Sequence, residues 1–94
     1  MEVRFYVDPE TEQPHIYNHG VTEEEVRQVL EHPGEDRAGD EDSRVALGQT
    51  ATGRYLKVIY SRDPGEESVF VITAFDLIGK SLKAFRRRQR RRRR

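Results

Sequence analysis

Eight arginines crowd the C-terminal end of the chain, at 86–88 and 90–94, interrupted only by Gln89. Guanidinium groups at that density neutralise phosphates and release their counterions, so the first chemistry on offer is salt-dependent binding of a polyanion. Lys80 and Lys83 extend the run upstream. The candidate nucleic-acid-binding set is therefore Lys80, Lys83, Arg86, Arg87, Arg88, Arg90, Arg91 and Arg92. The run carries no base-reading arrangement, and Phe85 is the only aromatic next to it, which does not favour stacking on unpaired bases. The same groups can instead fold back on acidic residues of the chain or meet an acidic partner, including a second copy. With only Leu82 and Phe85 as apolar neighbours, a membrane surface is not expected as the ligand.

His15 and His19 are four residues apart, which on a helix puts two imidazoles on one face, as in a metal-binding pair. Ile16 stands where a glutamate usually follows the first histidine, and neither a third ligand nor a cysteine is evident. No metal or other cofactor is expected. His19, beside Gly20, either closes a helix or, like His15, serves as an acid or base near neutral pH. Glu23, Glu24 and Glu25 resemble a carboxylate cluster, but a helix start accounts for them. The glycines form no P-loop or dinucleotide fingerprint. Absence of cysteine removes disulfides and thiol catalysis and fits a cytoplasmic setting. No apolar run is long enough to span a bilayer, and no secretory signal pattern opens the chain.

These 94 residues suit one small domain. Residues 2–8 alternate, with Val3, Phe5 and Val7 on the side expected to be buried, as in a strand ended by Pro9. Residues 10–20 read as a short or irregular helix closed at Gly20. Thr22 and Glu25 form a capping box, Val21 and Val26 a hydrophobic staple, and Val26, Val29 and Leu30 a narrow apolar stripe. The helix ends at His32-Pro33-Gly34. Residues 34–42 are polar and acidic and are expected to form a mobile loop. Three strands follow, at 43–49, 54–62 and 68–76; Asp63-Pro64-Gly65 and the connection 50–53 imply hairpins. Residues 82–94 read as helical or disordered, because arginine favours helix while adjacent like charges oppose it.

The expected fold is α+β, in the order β-α-α-β-β-β. It has a mainly antiparallel four-stranded sheet, helices on one face, the other face open, and a basic C-terminal segment. The α+β domain is assigned to 1–79 and the basic segment to 80–94. The overall charge of zero divides along that boundary: seven basic against seventeen acidic residues before Lys80, a net of −10, and ten basic residues with no acid from Lys80 onward. That asymmetry again suggests a polyanionic or acidic partner for the tail.

The strings His19-Gly20-Val21-Thr22-Glu23-Glu24-Glu25-Val26, Arg44 through Ala46-Leu47-Gly48, Gly53-Arg54-Tyr55-Leu56-Lys57-Val58-Ile59-Tyr60 and Val69-Phe70-Val71-Ile72-Thr73-Ala74 carry a resemblance. In their order they resemble the BrnT-like toxins of the broader RelE/ParE-like superfamily, over most of residues 3–76. The basic ending looks more like an uncharacterised bacterial family grouped with those toxins. The resemblance implies the toxin of a type II toxin–antitoxin pair, a metal-independent endoribonuclease acting on mRNA, with RNA or the ribosome and an antitoxin protein as partners. The alternative is a non-catalytic RNA-, ribosome- or protein-binding module, a degenerate toxin using its arginine tail.

Cleavage of that kind needs a base for the ribose 2′-hydroxyl, cations for the developing phosphate charge and an acid for the leaving oxygen. The expected catalytic residues are Lys57, Arg54, His19, Tyr60 and Arg44, with Arg62 and His15 as further candidates. If Leu56, Val58 and Tyr60 face the helices, then Tyr55, Lys57 and Ile59 face the open side. Lys57 is then a phosphate cation or simply a solvated strand residue. Arg44 binds phosphate or pairs with Asp40, Glu41 or Asp42. The acidic body counts against an RNA-cleaving surface.

Overall fold

A computed structural model describes residues 2–65 and 67–92; Arg93 and Arg94 of the basic run lie outside the described residues. The fold is α+β, with a mixed five-stranded sheet, a two-stranded ribbon, two α-helices and a 3-10 helix.

The first expected strand is two pieces. β1 (Glu2–Phe5) buries Val3 and runs parallel to the strand formed by Ser68–Asp76. Tyr6 then donates its N–H to Val71 but turns its carbonyl to the N–H of His15. This re-aims the chain, so that β2 (Val7–Asp8) pairs with β3 (Gln13–Pro14) instead of continuing the sheet. Val7, expected in the core, is 51% exposed.

The 3-10 helix His15–His19 buries Ile16 and closes on Gly20, whose φ of 68° is a left-handed conformation that suits glycine. α1 (Glu23–Glu31) starts as its sequence dictates. Glu25 N–H donates to Thr22 Oγ1 at 3.2 Å, and Thr22 N–H donates to Glu25 Oε1 at 3.0 Å. Val26 and Val29 are fully buried.

The acidic stretch 34–42 is not simply a loop. β4 (Glu35–Ala38) pairs antiparallel with β5 (Arg44–Gln49) across a tight turn in which Gly39 N–H donates to Ser43 C=O and Ser43 N–H to Asp40 C=O. Its residues have little β propensity. It forms because the apolar β5 would otherwise present a bare edge, and a short charged edge strand blunts that hazard.

β6 (Tyr55–Arg62) and β7 (Ser68–Asp76) form the expected hairpin, and the sheet order is β1-β7-β6-β5-β4. The expected four-stranded antiparallel sheet is thus five-stranded and mixed, through the added β4 and the parallel β1–β7 pair.

Strand parity assigns the two faces. Ala46, Leu56, Val58, Tyr60, Val71 and Ala74 pack under Ile16, Val21, Val26 and Val29 to make the main core. Tyr55, Lys57 and Ile59 point to the other face and are half-buried. That face is not left open along its whole length. α2 (Gly79–Arg92) lies over one end of it, where Phe85 joins Leu47 and Leu77 in a second cluster flanked by Val45, Tyr55 and Leu82. The inward stripe of α2 is Leu82, Phe85 and Gln89, thin among the eight basic residues of the helix. No helix among the described residues is long and apolar enough to cross a membrane.

Candidate functional site

α2 carries the basic run, and its fourteen residues extend about 21 Å. A helix of that length with like charges at i, i+3 and i+4 is marginal alone, so its order comes from docking. Phe85 supplies the apolar anchor at 3% exposure. Polar contacts flank it. Arg88 grips both oxygens of Glu35, with Nη2 donating to Oε1 at 3.0 Å. Gln89 Nε2 and Arg92 Nη1 donate to the Gly34 carbonyl at 3.1 and 2.8 Å. The Arg86 guanidinium lies 5.8 Å from the centroid of the Tyr55 ring. Gly34 allows this approach, since a Cβ there would meet Phe85 Cζ at 2.6 Å.

Docking sorts the candidate set into two groups. Arg88 and Arg92 contact the body, and Arg86 covers Tyr55. Lys80, Lys83, Arg87, Arg90 and Arg91 are exposed, and at 100° per residue they share the outer side of the helix. A row of five cations faces solvent while the opposite side is held.

The Arg88 guanidinium holds the Glu35 carboxyl below the usual carboxylate range, with burial opposing it and the Arg37 and Arg92 charges helping. A depressed carboxyl pKa stabilises the docked state above its ordinary value and loses that contribution as pH falls through the folded value. We expect amide exchange in α2 to accelerate as pH drops below about 4.5, after correction for intrinsic exchange rates. Glu35→Gln should exchange faster at neutral pH and lose this acid dependence. An unchanged profile in that variant would dissociate α2 docking from Glu35.

The five expected catalytic residues do not meet at one point: Tyr60 and Arg44 share Asp36, and Arg54 lies apart from them. Arg54 turns toward the main-core face and ties three elements together. Its Nε donates to Asp76 at 2.7 Å, its Nη1 to Glu25 at 3.0 Å and to the Gly20 carbonyl at 2.7 Å, and its Nη2 to the His19 carbonyl at 3.4 Å. The pairing lowers the Asp76 pKa. Burial of Glu25 opposes its ionisation, but the Thr22 N–H and Arg54 outweigh that and lower its pKa.

Tyr60 lies six residues further along β6, about 20 Å away in extended chain. It is 1% exposed and donates its hydroxyl to Asp36. Burial, then the Asp36 carboxylate, pushes its pKa up. Arg44 also serves Asp36, with Nε to Oδ1 at 2.8 Å and Nη2 to the backbone carbonyl at 3.1 Å. The expected partners Asp40, Glu41 and Asp42 are replaced, because β4 folds back beside β5 and brings Asp36 alongside Arg44. Arg62 approaches the same carboxylate at 3.9 Å.

Lys57 and His19 are nearer to each other. The Lys57 ammonium lies 5.9 Å from the Phe75 ring centroid, and the centroid of the His19 ring is also 5.9 Å from that of Phe75. The His15 ring sits 5.2 Å from His19, and its Nδ1 is 3.4 Å from Asp8 Oδ2. The backbone N–H of Glu10 and then Asn18 keep Asp8 ionised to lower pH than usual. The two histidines are thus adjacent, on a 3-10 helix. No cluster of three or more His, Cys, Asp or Glu side chains able to hold a metal occurs among the described residues.

Sequence reasoning missed Glu35, Asp36, Asp76 and Tyr55 as partners of the basic residues. The first two were hidden in a stretch with loop composition. Parity placed Tyr55 on the second face, but nothing in the sequence linked it to the tail. The one available signal was the spacing of Leu82, Phe85 and Gln89, which marks the side of the helix turned to the body. No family model, no curated protein and no solved structure matches this chain.

Proposed function

We propose that this chain is a non-catalytic RNA-binding module of the cytoplasm, engaging RNA, free or in the ribosome, through the outer row of α2. The observation that carries this reading is the docked helix with Lys80, Lys83, Arg87, Arg90 and Arg91 held together on its solvent side. A fixed row of cations engages phosphates without first ordering a tail, so less entropy opposes binding. The acidic body repels RNA elsewhere and so orients the encounter. Arg54, Arg44 and Tyr60 are each bonded to carboxylates of the chain itself, whereas the outer row of α2 faces solvent.

The test is anisotropy of a labelled RNA titrated with protein across a salt series. The combined variant Lys83→Gln, Arg87→Gln, Arg91→Gln should flatten the slope of log K against log salt by about 2. The RNA should stay intact in EDTA. Binding with an unchanged slope would reject the helix as the anchor.

A second reading is the metal-independent endoribonuclease implied by the resemblance to BrnT-like toxins. One observation favours it: His15, held beside Asp8, stacks edge-on against His19, and two adjacent imidazoles can divide base and acid duties. RNA ends that appear on expression and vanish with His19→Ala would favour this reading over the binding module.

A further inference from the structure

Between α2 and the hairpin of β5 and β6 lies a groove of about 360 Å³. Its walls include Tyr55, Phe85, Gln49, Gln89, Arg86 and Arg90. This is a mixed lining of aromatic rings, amides and guanidinium groups. Tyr55 is half-buried and stands edge-on to Phe85, with centroids 6.1 Å apart, so Phe85 holds its ring in place. Arg86 lies over the face of that ring and is itself exposed.

The strip continues along the second face of the sheet. Lys57 is two residues from Tyr55 on the same side of β6, about 7 Å away, and its cross-strand partner is Phe75. Phe75 is half-buried too, with Lys57 near its ring. Two aromatic rings, each with a cation beside it, therefore run from Tyr55, at the margin of α2 and under Arg86, to Phe75 further along the same face.

Aromatic rings with adjacent cations are the arrangement that unpaired bases use: the base stacks on the ring and its phosphate meets the cation. A duplex keeps its bases stacked inside and cannot use such a strip. Resting on the reading of α2 as an RNA anchor, we propose that this strip is a single-strand site. The exposed Arg86 swings off the Tyr55 ring as one base stacks there, its neighbour stacks on Phe75, and Arg86, Arg90 and Lys57 hold the phosphates. The helix contributes charge, and the strip gives preference for unpaired RNA. The aromatic residues that the basic run lacks in sequence are supplied by the sheet.

The experiment compares full-length protein binding to a twelve-nucleotide single-stranded RNA, its DNA counterpart and an RNA duplex of equal length. The unmodified protein should bind the single strands at least ten-fold more tightly than the duplex. Tyr55→Leu should weaken single-strand binding about ten-fold, the range expected for one lost stack, and leave duplex binding unchanged. Lys57→Gln should reduce single-strand affinity more than Arg27→Gln, a loss of equal charge on α1, which packs on the other face of the sheet. Exchange protection of α2 in Tyr55→Leu keeps a lost stack distinct from a released helix.

Equal affinity for duplex and single strand, or equal loss for both in Tyr55→Leu with α2 still protected, would overturn the strip while leaving the helix anchor standing. A Lys57→Gln effect no larger than that of Arg27→Gln would count the same way. Absence of any salt-sensitive binding would overturn both. Equal binding of RNA and DNA single strands supports a site for unpaired bases in general, whereas preference for RNA adds contacts to the ribose hydroxyl.

Discussion

Phe85→Ala will release α2 from the sheet and leave the strands folded. Phe85 is the one fully buried side chain of that helix, and it meets Leu47 and Leu77 in a cluster separate from the main core. Truncating a buried phenylalanine costs about 3 kcal/mol or more. Little else can offset that loss. Leu82 is only partly buried, and the Arg88–Glu35 pair is 41% and 13% exposed, so solvent screens much of it. Once undocked, fourteen residues with a run of like charges do not remain helical. The expected result is a fall in helical circular dichroism, rapid trypsin cleavage at the basic residues of α2, and slow exchange retained in β5, β6 and β7. Gly34→Ala should act in the same direction, since its new methyl group would collide with the Phe85 ring. Helix content and trypsin resistance equal to the parent protein in both variants would show that α2 is ordered by something other than this contact.

The same contact shows why the tail was the least legible part of the fold. The basic run announces its charge in composition, but the placement of residues 86–92 depends on one phenylalanine, one glycine and one glutamate drawn from two distant segments. Local pattern carries no such information. Where stabilisation is local, the sequence was sufficient. Thr22 and Glu25 close a capping box over four residues, Gly20 takes the left-handed turn, and Leu56, Val58 and Tyr60 alternate into the core. Where a partner strand decides the outcome, it was not. Glu35–Ala38 becomes a strand because β5 needs an edge, and β1 stops at Phe5 because Tyr6 divides its backbone bonds between Val71 and His15. The candidate site followed the same rule. Parity put Lys57 and Tyr55 on the second face, whereas the commitments of Arg44 and Arg54 depended on Asp36, Glu25 and Asp76, which lie 8, 29 and 22 residues away.

Arg54→Ala should lower the melting temperature by about 10 °C and leave RNA binding by α2 intact. A cation in a catalytic centre would show the reverse pattern, with activity lost and stability kept or raised, because active-site charges are held at a cost to the fold. Arg54 instead satisfies four acceptors: the carboxylates of Asp76 and Glu25, and the carbonyls that end the 3-10 helix at His19 and Gly20. Removing it leaves Glu25 inside its capping box without a counter-charge and uncaps the turn leading into α1. Loss of a charged hydrogen-bonding partner costs about 1.5–3 kcal/mol. Asp76 is 51% exposed and Arg54 27%, which argues for the middle of that range, about 2 kcal/mol. For a domain of this size that corresponds to the stated shift in melting temperature. Arg54→Lys should recover little, because one ammonium cannot reach acceptors on both sides of the planar fork. Glu25→Gln in the Arg54→Ala background should cost less than in the parent protein, since the partner it loses is already gone. Additive losses in that cycle would mean that Arg54 and Glu25 are independent and that Arg54 remains available to a phosphate.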